Sequence, residues 1–255
     1  YEITERDWSS DVCSSDLKLI LMSAIYRQSS AVSPELAARD PENRLLARGS
    51  RIRLPAFVVR DQALAASGLL VDEQFGPPVK PYMPPRLWES ISNNKYTQDH
   101  GSALYRRSLY TYWRRTIPPP LLTTMGAGDR EVCVVRKDRT NTPLQALSLM
   151  NNVVFVEASR HLAERMITAA DDLNAVLRRG YQFVLGREPS ETELAILRRS
   201  HEHFTSHFRN DVASARKLLK TGESPRNESL DPAEHAAMTM TASLILNLDE
   251  AMTRE

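Results

Sequence analysis

Cysteine is almost missing from this chain. There are two, Cys13 and Cys133, and Cys13 lies in an N-terminal segment that does not read as part of the natural protein. A single remaining thiol permits no internal disulfide, no cysteine-built zinc site and no CxxCH haem attachment. No apolar run is long enough to span a bilayer. A Gly-rich phosphate loop, a nucleophile elbow, a zincin motif and a calcium loop are all lacking. Neither sign of charge dominates: 33 basic and 32 acidic side chains leave a net charge of +1, far from the footprint of a nucleic-acid-binding protein.

Residues Asp7–Leu17, DWSSDVCSSDL, back-translate as a common short-read sequencing adapter, and Tyr1–Arg6 fits the same frame. Tyr1–Leu17 is therefore expected to be foreign, with the reading frame truncated upstream of Lys18. Removing its one basic and five acidic residues from 33 and 32 leaves 32 and 27, a net charge of +5. That mild excess is compatible with an acidic partner. The residues from Lys18 onward suffice for a core, and residues 18–255 are expected to form a single helical domain, with 18–128 and 129–255 as candidate sub-domains.

What is present is mostly helix punctuation. Lys18–Ser29 reads as a short helix. Ser33-Pro34-Glu35 and Asp40-Pro41-Glu42 are cap-plus-proline starts, predicting helix over Glu35–Ala38 and Glu42–Arg48. Pro55–Leu70 is the next helix, with Val58, Ala65 and Leu69 on one side and Arg60 and Asp61 elsewhere. Eight of the fifteen prolines fall between Pro77 and Pro120, which favours extended backbone there. Helical islands are expected at Pro85–Ile91 and Ala103–Thr116, and the interleaved Tyr and Trp residues suggest loops packed onto helices. Arg130–Val135 alternates as a short strand would.

From Thr142 onward the pattern is all helix. Thr142 can cap, Pro143 suits the first helical position and Gln145 completes a capping box. Val153–Ala169 either continues that helix with a bend or forms a second one. Leu173–Leu185 follows helical spacing up to Gly186. Ser190 and Glu193 form another capping box, followed by a stripe of Leu194, Leu197, His201, Phe204 and Phe208. Asp231-Pro232 opens a last helix that is apolar almost all round over Ala236–Leu248, expected near the middle of a bundle. The fold class expected is mainly α: an irregular helical bundle with a proline-rich, loop-dominated middle and at most a short strand or hairpin.

Among candidate sites, Arg130, Arg136 and Arg139, leading through Thr140 and Asn141 into the helix at Thr142, form the strongest. Guanidinium groups beside free helix N–H groups suit a carboxylate, phosphate or sulfate. The competing reading pairs these arginines with Asp129, Glu131, Asp138 or the Arg60-Asp61 helix, and the capping box consumes some of the free donors. His203 and His207 share a helix face while His201 points nearly opposite, at about 100° per residue, so no metal site is expected. The Pro/Tyr/Trp loops could stack against a sugar or a partner chain. Asp99-His100 could supply acid–base chemistry but has no orienting third group in view. No catalytic residue is assigned.

YRQSS (Tyr26–Ser30), DPENRLLARG (Asp40–Gly49), RLPAFVVRDQALAASGLL (Arg53–Leu70), RRSLYTYWRRTIPPP (Arg106–Pro120), DREVC to RTNTPLQAL (Asp129–Leu147), FVEASR (Phe155–Arg160), LGREPS (Leu185–Ser190) and LNLDEAMTRE at the end occur in one order. In these segments the chain resembles the planctomycete-specific C-terminal domain called domain-of-unknown-function family 1553. The resemblance implies an extracytoplasmic (periplasmic or exported) multidomain protein with a cytochrome-c-like domain upstream. Any haem c would belong to that upstream domain, and none is expected in this fragment. It brings no catalytic residues. The reading is thus a docking or ligand-recognition module, taking an anionic or carbohydrate ligand, without nucleic acid and without a membrane span. The alternative is an enzyme domain with an arginine-lined pocket acting on such a substrate, with Asp61, Asp129 or His100 carrying protons.

Overall fold

The computed structural model describes the backbone of residues 10–128, 140–170 and 172–254, and the side chains of all of these except residues 10–14. The fold is mainly α. Two compact units are distinguished, one of residues 1–53 with 253–255 and one of residues 54–252.

The first described helix of the smaller unit is α1 (Ser10–Met22), so the helix expected from Lys18 to Ser29 starts earlier and stops at Met22. Its second helix, α2 (Pro34–Arg39), is capped by Ser33, whose side chain accepts from the Leu36 N–H. The helix expected over Glu42–Arg48 does not form. Asp40 takes the chain another way: its carboxylate accepts from the Arg44 and Leu45 N–H groups, both at 2.8 Å. Arg48 then donates to the Asp40 and Pro41 carbonyls. Asn43 and Leu46 adopt positive φ, which a helix cannot accommodate. An antiparallel pair, β1 (Ile52–Arg53) with β2 (Thr253–Arg254), is the only sheet among the described residues.

The larger unit is a bundle. Its helices are α3 (Ala56–Ser67), α4 (Leu87–Ile91), α5 (Pro120–Thr124), α6 (Pro143–Asn151), α7 (Val153–Thr168), α8 (Leu173–Leu185), α9 (Glu191–Asn210), α10 (Val212–Leu219), α11 (Pro232–Leu246) and the short α12 (Asp249–Met252). Helix α11 is central, packed against α7, α8, α9 and α10, and α7 also packs on α3 and α8. Leu162, Ala163, Met166, Leu177, Ala242 and Ile245 are fully buried where these helices meet. Gly180 permits the close approach of α8: a Cβ there would lie 2.7 Å from Met166 Cε and 2.8 Å from Ile245 Cδ1.

Both capping boxes form as the sequence predicts, Thr142 with Gln145 and Ser190 with Glu193. Helices α6 and α7 are two elements: Asn152, at ψ 137°, ends one and caps the other by accepting from the Val154 N–H. On α3 burial does not follow polarity. Val58 is 44% exposed while Arg60 is 3% exposed, because Arg60 donates to the carbonyls of Leu104 and Arg106 and to Ser108 Oγ. Only Pro85–Ile91 of the expected islands yields a helix, α4. Ala103–Thr116 instead carries two 3-10 turns, Gly101–Tyr105 and Ser108–Tyr110. The proline-rich middle does pack onto the bundle, with Leu104 and Tyr105 against Leu64 and Val154. No helix of the described residues is long and apolar enough to cross a membrane.

A candidate site around helix α7

Four ionisable residues of α7, Glu157, Arg160, His161 and Glu164, fall at i, i+3, i+4 and i+7, and so share one face. On most helices such a face is solvated. Here Glu157 and Arg160 are each 1% exposed, covered by the loop between α10 and α11, Thr221–Leu230.

Glu157 is the centre. Its Oε1 accepts from Tyr105 OH at 2.9 Å, from the Ser224 N–H at 2.8 Å and from Ser224 Oγ at 2.6 Å, and its Oε2 accepts from Tyr82 OH at 3.0 Å. Three of the four donors crowd Oε1 and one holds Oε2, so the carboxylate is fixed from both oxygens. Tyr82 passes the connection on by accepting from the Glu223 N–H. Burial is the first cause pushing both phenols above the ordinary tyrosine range, followed by the Glu157 charge for Tyr82 and the hydrogen bond to Glu157 for Tyr105. Gly222, at φ 89°, lies directly against the same carboxylate: a Cβ there would fall 2.2 Å from Glu157 Cδ.

Arg160 donates through Nη2 to the Ser224 carbonyl and to Ser224 Oγ, both at 2.7 Å. Its Nη1 stands 3.7 Å from Glu164 Oε1. That oxygen also accepts from the Asn227 N–H and faces His235 Nε2 at 3.5 Å. Arg160 Nε and Nη1 and Arg226 Nη1 are buried donors, and His235 Nδ1 a buried ring nitrogen, with no hydrogen bond. Burial is the first cause holding His161 and His235 below the ordinary histidine value, and the Arg160 charge adds to it. Both rings are therefore neutral at pH 7.

Ser224, His161 and Glu164 have the residue types of a hydrolytic triad. Ser224 Oγ is 2.7 Å from His161 Nε2, and His161 Nδ1 is 3.7 Å from Glu164 Oε2. Proton counting opposes that chemistry. A hydroxyl has one proton and two lone pairs, and the 2.6 Å contact with the Glu157 carboxylate takes the proton. Arg160 fills one lone pair. His161 must then donate its Nε2–H to the other, which removes it as a base toward Ser224. The arrangement clamps a loop.

The residues singled out in the sequence lie elsewhere. Arg130, Arg136 and Arg139, with Asp129, Glu131, Asp138 and the strand expected over Arg130–Val135, are outside the described residues. Thr140 and Asn141 are exposed, and Thr140 Oγ1 accepts from Gln145 Nε2. At the α6 start Pro143 has no N–H, and the Gln145 and Ala146 N–H groups bond to Thr142. Leu144 N–H is the first-turn donor left over among the described residues. Asp61 is held by the Ser108 N–H and Oγ and by Arg60. Asp99 accepts from the Lys80 N–H. His100 pairs through Nδ1 with Glu223 Oε1 at 2.7 Å, so Asp61 and His100 are engaged separately. His201 lies on the buried stripe of α9, as expected, beside an open groove of about 450 Å³ lined also by Glu202, Thr205, Arg209 and Glu234. The α7 face itself went unread in the sequence. Its signal is the i, i+3, i+4, i+7 spacing of charges on a helix whose other sides are largely apolar, with Ser159 and Arg165 among the exceptions.

The fold and this clamp define a helical domain built on an interior polar network. The chain belongs to the family described as protein of unknown function (DUF1553), whose profile matches residues 3–201. That match takes in Glu157, Arg160, His161 and Glu164, begins inside the segment read as foreign, and ends before Ser224. No curated protein and no solved structure matches the chain.

Proposed function

We propose that the chain is a non-catalytic recognition module, a rigid helical piece through which a larger protein docks a ligand or a neighbouring domain. The observation that carries this reading is that the proton and both lone pairs of Ser224 Oγ are engaged, with the Glu157 carboxylate held by four donors. The group of side chains best suited to catalysis is used up in holding the α10–α11 loop, with Gly222 closing over it. Family resemblance alone adds an extracytoplasmic setting, a planctomycete source and an upstream cytochrome-c-like domain as partner, with any haem in that domain. An anionic or carbohydrate ligand at Arg130, Arg136, Arg139, Thr140 and Asn141 belongs to the same proposal. It rests on sequence, and the capping bonds at Thr142 leave little of the α6 N-terminus to assist it.

The test is a pair of measurements on Ser224→Ala and His161→Ala: hydrolysis of a small activated ester, and the thermal unfolding midpoint. A recognition module loses midpoint and shows no hydrolysis that depends on either residue. Hydrolysis abolished by Ser224→Ala at an unchanged midpoint would replace this reading with the enzymatic one.

A further inference from the structure

The groove between α9 and the first turn of α11, about 450 Å³, falls in the range of roughly 300–1,000 Å³ common for small-ligand sites. Every residue lining it is polar or charged, so an alkyl or aryl group has no wall to lie against. Its inner end is His201, whose side chain is 9% exposed. The Thr241 hydroxyl gives its one proton to the Ala237 carbonyl at 2.9 Å, so the 3.3 Å contact with His201 Nδ1 requires the ring to donate there. The neutral ring then keeps its lone pair on Nε2. Near that nitrogen stand Thr205 Oγ1 at 3.4 Å, long for a hydrogen bond, and Glu234 Oε2 at 3.9 Å. Nε2 and Oε2 are both acceptors, a pairing that calls for a donor to bridge them.

Charge selects the donor. Glu202 and Glu234 against Arg209 give the lining a net charge of −1, and Arg209 bonds to the other oxygen of Glu234, Oε1. Burial is the first cause holding His201 below the ordinary histidine value, while Glu234 and then Glu202 act the other way. The field at Nε2 therefore favours positive charge, and desolvation keeps that charge off the ring. A cation in the open groove meets the same field without the burial penalty. An ammonium also brings the N–H groups that Nε2 and Oε2 require. Ser206, Arg209 and Asn210 are exposed along the groove and suit hydroxyl groups rather than an alkyl chain. We propose that this groove binds a protonated amino sugar, its ammonium between His201 and Glu234 and its hydroxyls on Ser206, Arg209 and Asn210. This rests on the recognition-module reading and gives it a ligand class and a place.

The full chain is titrated at pH 7, in a buffer free of amines, with glucosamine, glucose, N-acetylglucosamine and butylamine. Glucosamine is expected to bind at least about tenfold more tightly than the other three. Glu234→Gln is expected to lose about tenfold of that affinity, and Glu202→Gln, at an exposed position, about threefold. Absent glucosamine binding, equal affinity for glucose or N-acetylglucosamine, or wild-type affinity in both variants overturns the proposal and leaves the module reading intact. Butylamine bound as tightly as glucosamine also overturns it, by making the groove a site for any amine. Hydrolysis that depends on Ser224 would instead remove the module reading itself.

Discussion

Gly222 and Glu157 meet so closely that a single methyl group does not fit between them: a Cβ on Gly222 would lie 2.2 Å from the Glu157 carboxyl carbon. The contact is with a carboxylate fixed by four donors, which cannot swing aside. The positive φ of Gly222 adds a second reason for glycine. Gly222→Ala is therefore expected to cost about 2–4 kcal/mol. Urea unfolding measures it; a loss below about 0.5 kcal/mol would mean the loop moves freely.

Removing the hub itself should cost more. Glu157→Ala leaves Tyr82, Tyr105 and Ser224 without their common acceptor and removes the carboxylate that lies 3.9 Å from the buried Arg160. Breaking a buried ionic network from one side costs about 3–5 kcal/mol, a large part of the about 5–15 kcal/mol typical of a domain. Chemical denaturation, with hydrogen exchange at the Ser224 and Glu223 amides, checks both the size and the place of the effect.

Acid should weaken the larger unit in two stages. His161, His201 and His235 are held below the ordinary value of 6.5, burial being the first cause in each. Below pH 6.5 the unfolded chain takes up protons that the folded chain refuses, so stability falls with pH; above it these rings give no slope. Glu193, drawn down to about 2 mainly by its bond to Arg187, adds a loss that begins below 4.5 and continues to about 2. Denaturation midpoints across this range test the sign. Stability that rises between pH 6.5 and 5 would show that the histidines charge inside the fold.

Gly180→Ala places a methyl group among Met166 and Ile245 at the crossing of α8 with α7 and α11. Overpacking of this kind costs about 1–3 kcal/mol, in spite of the better helix propensity of alanine. A thermal midpoint at or above wild type would show that this interface can yield.

Arg60→Met is expected to destabilise by about 3–5 kcal/mol. It strands the Leu104 and Arg106 carbonyls and leaves Asp61 without its cation. The signature is early exchange of amides in the segment around residues 101–111.

Much of the helical frame was legible because its signals are local. The capping boxes at Thr142 and Ser190, the stop at Gly186 and the stripe from Leu194 to Phe208 depend on neighbours within a turn or two, and all form as the sequence indicates. The failures have a distant cause. Asp40-Pro41-Glu42 resembles a helix start until Asp40 bonds to Arg44 and Leu45 instead. Arg60 looks like a surface residue until a loop more than forty residues later supplies its acceptors. The α7 face has the spacing of a solvated ion-pair ladder, and it is buried by distant segments: Tyr82 and Tyr105 from earlier in the chain and the α10–α11 loop more than sixty residues on.

The most direct test of the clamp is a double-mutant cycle of Glu157→Gln and Ser224→Ala, read by urea unfolding. A coupling energy of at least about 1 kcal/mol is predicted, since the two residues share the shortest bond of the network. Additive losses would contradict it, showing that the loop and α7 are held together by something other than this pair.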